Sequence, residues 1–258
     1  MINRNGGVAL RYSAVIPVFN SAPIVAATIA QTRQFFESSD LSYEIIAVDD
    51  GSRDGSWEVL RDAARSSGTV TAIRLASNRG QHTATLCGMA SASGASIVTL
   101  DDDLQHPPAE IARLIEKAAE GHDLVCGRFL QRRGWVRGAA SLAAGALDRT
   151  LFHKPRGFVF TSFRLIRRDV VDRLCEYRFP DPYLRGLLVR CASSPANTWV
   201  EHRPRVVGRS GYDAVAVARF GARMLRTYRD LRRPAPPLPL EWDISEVVSA
   251  PLPVTAGR

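Results

Sequence analysis

Three adjacent carboxylates, Asp101, Asp102 and Asp103, close an apolar run and are followed by Leu104 and Gln105. Such groups repel one another, so a fold keeps them together only with full solvation or a compensating cation. Hard oxygen donors of this kind suit Mg2+ or Mn2+, which could neutralise a departing diphosphate. The same run also reads as a solvated acidic turn capping the helix after Pro107, and taken alone the two readings are evenly matched. A second set, Val48-Asp49-Asp50-Gly51-Ser52, offers carboxylates that could accept hydrogen bonds from a nucleobase or a ribose. Its glycine lets the backbone approach a ligand closely. Asp54, just beyond, reads better as a cap for the next helix. In a third set, Asn78-Arg79-Gly80-Gln81-His82, the histidine reads more readily as a structural residue at a helix start than as a base.

Each set falls just after a run that predicts a strand. These runs are Tyr12–Val18, Tyr43–Val48, Val70–Leu75 and Ile97–Leu100, with Asp123–Cys126 as a fifth. Helical patterns separate them over Pro23–Glu37, Trp57–Arg65, Gln81–Ala92 and Pro107–Ala119. The alternation predicts an α/β class with right-handed βαβ units and a mostly parallel sheet flanked by helices. Ligands of such sheets bind beyond the carboxyl ends of the strands, where the three polar sets lie. After Gly127 the pattern changes. A helix is expected over Gly134–His153, a strand over Phe158–Ile166, helices over Asp169–Cys175 and Tyr183–Cys191, and a strand over Thr198–His202. A basic helix over Asp213–Asp230 follows, and Pro234–Arg258 reads as a Pro-rich extended tail.

The 258 residues are 45% hydrophobic and 23% charged, which excludes global disorder. No apolar run approaches the roughly 18 residues of a membrane span, and the first residues lack a signal-peptide core. The four cysteines show no CxxC spacing and are expected as buried free thiols in a reducing cytosol. Charge is unevenly placed. Residues 128–233 carry 23 Lys and Arg against 8 Asp and Glu, a balance of +15, whereas the rest carries 11 against 18. No nucleic-acid motif or aromatic stacking pattern accompanies that basic half, so nucleic acid is not expected as a partner. An anionic membrane surface or a phosphorylated acceptor fits it at least as well.

Taken together, Ile16-Pro17-Val18-Phe19-Asn20, Val48-Asp49-Asp50-Gly51-Ser52 and Leu100-Asp101-Asp102-Asp103-Leu104-Gln105-His106-Pro107-Pro108 resemble the signatures of family 2 glycosyltransferases of GT-A fold. Asn78-Arg79-Gly80-Gln81-His82 and the Asp-Leu-Gln-x-Pro-Pro run resemble more narrowly the polyprenyl-phosphate glycosyltransferases. These include dolichyl-phosphate mannosyltransferase and the undecaprenyl-phosphate sugar transferases. The similarity covers roughly residues 13–228. It implies that Pro17, Phe19, Val48 and Asp50 line a nucleoside pocket, with Asp101, Asp102 and Gln105 also on the donor side. It further implies Asp103 as principal metal ligand together with Asp101, and Mg2+ or Mn2+ as the cofactor. Asp102 stands where the family often has alanine, and Ser21 where it often has glutamate.

Ser162-Phe163-Arg164-Leu165 and the run Arg205 to Tyr212 resemble the family's phosphate-facing segments. The catalytic set so implied is Asp101, Asp103 and Arg164. Arg164, Arg205, Arg209 and Ser210 are then expected to bind the acceptor's phosphate, since guanidinium forks match phosphate oxygens. The family's lysine is replaced by Gly211, and the acidic residue that often precedes Phe-Arg-Leu by Thr161-Ser162. On this reading residues 1–127 bind the nucleotide-sugar donor, 128–233 form a basic acceptor-binding or interfacial half of the same domain, and 234–258 are the tail. The implied reaction is an inverting transfer to a polyprenyl phosphate in surface-glycan synthesis. A phosphate monoester is already anionic and needs no general base, and none is evident. The expected location is cytoplasmic, peripheral at the inner face of the cell membrane, or held there by a membrane protein partner. Transfer to a saccharide or small-molecule hydroxyl, and a catalytically silent nucleotide-sugar-binding protein, remain as alternatives.

Overall fold

The computed structural model describes residues 12–129, 148–177, 183–204, 214–231 and 242–250. In chain order the first elements are β1 (Tyr12–Val18), α1 (Ala22–Ser38), β2 (Tyr43–Asp49), α2 (Ser56–Ser66), β3 (Val70–Leu75), α3 (Gln81–Ser91) and β4 (Ser96–Thr99). Next come α4 (Ile111–Ala119), β5 (Leu124–Arg128), β6 (Arg164–Arg167), α5 (Arg168–Cys175) and α6 (Leu184–Cys191). The last are β7 (Pro195–Trp199), α7 (Ala214–Leu231) and β8 (Ile244–Ser249). The chain forms two compact units, one of residues 1–109, 203–207 and 242–258, the other of 110–202 and 208–241.

In the first unit β4, β1, β2 and β3 lie side by side and pair in parallel, as the βαβ alternation predicts. Their runs are almost wholly buried, which is what a sheet covered on both faces requires. Helix α3 packs closely over β1 and β2. A Cβ on its Gly88 would stand 2.5 Å from Val15 Cγ1 and 3.1 Å from Val48 Cγ2. On the far side of β3 lies β8, antiparallel, with Ala72 opposite Val248 and Ile73 opposite Val247. The Pro-rich reading of the tail contains no hint of this partner. The β-branched Ile244, Val247 and Val248 carry it, and the prolines before them mask it.

In the second unit β5 pairs in parallel with β7 and antiparallel with β6. The strand expected over Phe158–Ile166 is confined to Arg164–Arg167. The cause is a side chain that replaces a strand partner. Asn197 accepts from the Val159 amide through Oδ1 at 2.8 Å and donates to the Val159 carbonyl at 2.7 Å. Similarly, the strand expected over Thr198–His202 sits at Pro195–Trp199. The basic helix expected over Asp213–Asp230 is found at Ala214–Leu231, whereas of Gly134–His153 only 148–153 are described and the rest lies outside the described residues. Among the described residues no helix is long and apolar enough to cross a membrane.

Candidate active site

The residues expected on the donor side lie at the carboxyl ends of β1, β2 and β4. Pro17 and Val48 are register neighbours on β1 and β2 and both are buried. Asp49 ends β2 fully buried, accepts from the Ser52 amide at 3.2 Å and meets Arg74 Nε at 3.4 Å. Burial raises its pKa above the usual carboxylate range, against the pull of Ser52 and Arg74. Asp50 is also buried. Its two oxygens accept from the amides of Arg79 at 2.7 Å and Gly80 at 2.8 Å, so it fixes the turn between β3 and α3. Gly51 makes that close approach feasible. Its φ is 71°, and a Cβ there would stand 2.8 Å from the Asn78 nitrogen.

The loop from β1 into α1 is held from both sides. Helix starts leave backbone N–H groups without partners inside the helix, and here other loops supply them. The amide of Asn20 donates to Ser52 Oγ at 2.9 Å, that of Ser21 to Ser56 Oγ at 2.8 Å, and that of Ala22 to Asp54 Oδ2 at 3.0 Å. Asp54 also accepts from the Ser56 amide at 3.1 Å, while Gly55 holds the N-cap position of α2 that the sequence suggests for Asp54. On the opposite side the Phe19 amide donates to Asp102 Oδ2 at 3.2 Å, and the Ser21 hydroxyl donates to the same oxygen. Phe19 itself stays 47% exposed.

The three carboxylates after β4 therefore have separate fates. Asp101 accepts from Gln81 Nε2 at 2.6 Å. Asp103 is buried and accepts from the Gln105 amide at 3.1 Å across a turn in which Leu104 takes a left-handed φ of 56°. Asp102 turns towards the β1–α1 loop, and burial together with its two acidic neighbours lifts its pKa to about 6. Gln105 exchanges contacts with Arg203, whose amide donates to the Gln105 carbonyl at 2.7 Å. That brings the backbone of Arg203 to the acid loop. Arg205, Arg209 and Ser210 themselves lie outside the described residues.

In the second unit Arg164 opens β6 and is almost fully buried, with its guanidinium carbon 5.0 Å from the centre of the Phe160 ring. Arg185, on α6, stands over the same ring at 5.3 Å. The sequence offers no motif around Arg185, and only the packing of α6 singles it out. A cavity of about 260 Å3 in this unit is lined by Thr150, Leu151, His153, Arg190, Tyr228 and Leu231 and contains none of the carboxylates. The thiols of Cys87, Cys126 and Cys191 are buried and pushed up to about 12, 11 and 11, as inert structural cysteines should be.

Residues 13–175 match the family model described as glycosyl transferase family 2. Over 205 residues the chain is 37% identical to an undecaprenyl-phosphate 4-deoxy-4-formamido-L-arabinose transferase of Enterobacter sp. (strain 638), a match covering 78% of this chain and 62% of that relative. The counterpart from Sodalis glossinidius (strain morsitans) is 36% identical, covering 78% and 63%. The chain thus spans less than two thirds of the length of these curated relatives. Among solved structures, glucosyl-3-phosphoglycerate synthase from Mycobacterium tuberculosis bound to phosphoglyceric acid superposes with a TM-score of 0.63 at 18% identity, covering 86% of this chain and 79% of that one. The same enzyme has been solved with Mn2+ and uridine-diphosphate-glucose. Mannosyl-3-phosphoglycerate synthase from Rubrobacter xylanophilus superposes with a TM-score of 0.60 at 21% identity, covering 89% and 79%. At such identities the likeness is one of fold.

Proposed function

Because the chain belongs to glycosyl transferase family 2, we propose that it moves a sugar from a nucleotide-sugar donor to the phosphate of a polyprenyl-phosphate carrier. Its fold is GT-A-like, a mostly parallel α/β sheet with flanking helices. The observation that carries the donor half is the gathering of the Asp101–Asp103 run and exposed Phe19 at the ends of parallel strands, joined by the bond from the Phe19 amide to Asp102. The acceptor half rests on the two undecaprenyl-phosphate transferases that share 36–37% of their aligned residues with this chain.

Asp101 and Asp103 offer the hard oxygens that Mg2+ or Mn2+ prefers. Among the described residues no group of three or more His, Cys, Asp or Glu is placed to hold a metal ion by itself, so these two carboxylates would supply only part of a coordination shell. That donor set fits a cation whose remaining ligands come from the donor's diphosphate and from water. When bound, such a cation neutralises the charge that builds on the leaving diphosphate. Phe19 supplies a flat apolar surface for the base, and Asp50 holds the Arg79–Gly80 turn in place. Arg164 and Arg185 present guanidiniums suited to a phosphate monoester, with Arg205, Arg209 and Ser210 as further candidates. The acceptor's phosphate oxygen attacks the anomeric carbon, the bond to the donor diphosphate breaks, and the nucleoside diphosphate departs with inversion. No base is required, because the nucleophile carries no proton at neutral pH.

The test is release of nucleoside diphosphate from a panel of donors with Mn2+ or Mg2+, with and without undecaprenyl phosphate. Release is expected to rise with the lipid and to fall about 100-fold or more in Asp103→Ala. Release indifferent to the lipid would move the acceptor to a hydroxyl. Tight donor binding with no release under any condition would leave a silent binding protein.

A further inference from the structure

We infer that Asp102 is a positioning residue that straps the Phe19–Ser21 loop to the acid cluster, with Ser21 as its partner, and that it does not ligate the cation. The inference rests on the glycosyl-transfer reading and adds to it the means by which Phe19 is held. Both contacts of the strap end on one atom. The Phe19 amide and the Ser21 hydroxyl each donate to Asp102 Oδ2. The backbone of Asp102 is tied as well, since its carbonyl accepts from the hydroxyl of buried Thr28, on α1, at 2.9 Å. The loop is thus fixed to β2's loop by Ser52, Ser56 and Asp54, and to β4's loop by Asp102.

This arrangement separates the work of three adjacent carboxylates. Both lone pairs of Asp102 Oδ2 are taken by the Phe19 amide and the Ser21 hydroxyl, so that oxygen faces the loop and has none left for a cation. The strap also accounts for the exposure of Phe19. An aromatic ring that is nearly half exposed would normally swing among rotamers and backbone states, and that freedom would have to be lost when a base stacks on it. Fixing the loop beforehand removes part of that cost.

The geometry makes a sharp distinction between two substitutions. Asparagine presents one carbonyl oxygen with two lone pairs, enough to accept from both Phe19 and Ser21, so Asp102→Asn keeps the strap and loses only the charge. Alanine loses both. Uridine and guanosine diphosphate binding should be followed by calorimetry, in EDTA and in Mn2+, alongside melting curves. Binding in EDTA is expected to weaken about tenfold in Asp102→Ala, about threefold in Ser21→Ala and less than threefold in Asp102→Asn. The double variant Ser21→Ala/Asp102→Ala should bind no worse than Asp102→Ala alone. The gain in affinity on adding Mn2+ should survive in all of these variants and disappear in Asp103→Ala. An Asp102→Asn protein that folds but binds as poorly as Asp102→Ala and loses the Mn2+ gain would overturn the strap in favour of a ligand. So would an Asp102→Ala protein that binds like wild type in EDTA. Wild-type protein that binds neither nucleotide would instead sink the transfer reading, and the strap's purpose with it.

Discussion

Asp49 and Asp50 are neighbours in sequence with different duties. Asp50 bonds two amides of the next loop, whereas Asp49 is fully buried with the Arg74 guanidinium and the amide and hydroxyl of Ser52 for company. Burial outweighs those partners and raises the Asp49 pKa above its unfolded value. A raised carboxylate contributes stability that is fully present below the unfolded pKa and is lost as pH rises through the folded pKa. Urea denaturation of wild type and Asp49→Asn at pH 4 and pH 7 should therefore show the comparison shifting towards the asparagine variant at the higher pH. An unchanged difference would mean that Arg74 compensates the charge fully. At this scale the sequence is informative about residue type and silent about direction. It places Asp101, Asp102 and Asp103 at a strand end, but the turn of Asp102 towards the β1–α1 loop depends on a hydroxyl 81 positions away. Arg185 was invisible for a similar reason. Its meeting with Phe160 is made by the packing of α6, which no local spacing encodes.

Helix α3 illustrates how elements share the burden of placing the site. It starts at Gln81, which holds Asp101, and its Gly88 lets it settle close on β1 and β2. A mid-helix glycine costs about 1 kcal/mol relative to alanine, so Gly88→Ala would be expected to stabilise an isolated helix. Here the added Cβ would meet Val15 at 2.5 Å, and both Val15 and Val48 are buried. Overpacking of this kind costs about 1–3 kcal/mol, enough to cancel or reverse the helical gain. Thermal unfolding should show Gly88→Ala no more stable than wild type and Gly88→Val clearly less stable. A stabilised alanine variant would mean that α3 can lift off the sheet without cost. The parallel strands and the helices between them are legible because buried runs and helical periodicity repeat regularly. The strand over 158–163 fails because an asparagine side chain, rather than a neighbouring backbone, satisfies Val159.

Over the whole molecule the charge pattern stands out, with the excess of Lys and Arg confined to residues 128–233. A basic segment near an anionic lipid surface gains about 1 kcal/mol per residue that reaches it, and the gain fades with salt. The protein should therefore sediment with phosphatidylglycerol vesicles at low ionic strength, release about tenfold or more in 0.5 M salt, and ignore phosphatidylcholine vesicles. Equal binding to both lipids would remove charge as the cause. The pairing of β8 with β3 has a different kind of consequence, one of timing. The first unit's sheet is completed by residues 244–249, which leave the ribosome long after β3 at 70–75. At typical synthesis rates of about 5–20 residues per second, that interval is on the order of 10–30 s. During translation the outer edge of β3 waits open while the entire second unit is made, and the nascent chain must keep that edge from pairing with a neighbour until β8 arrives.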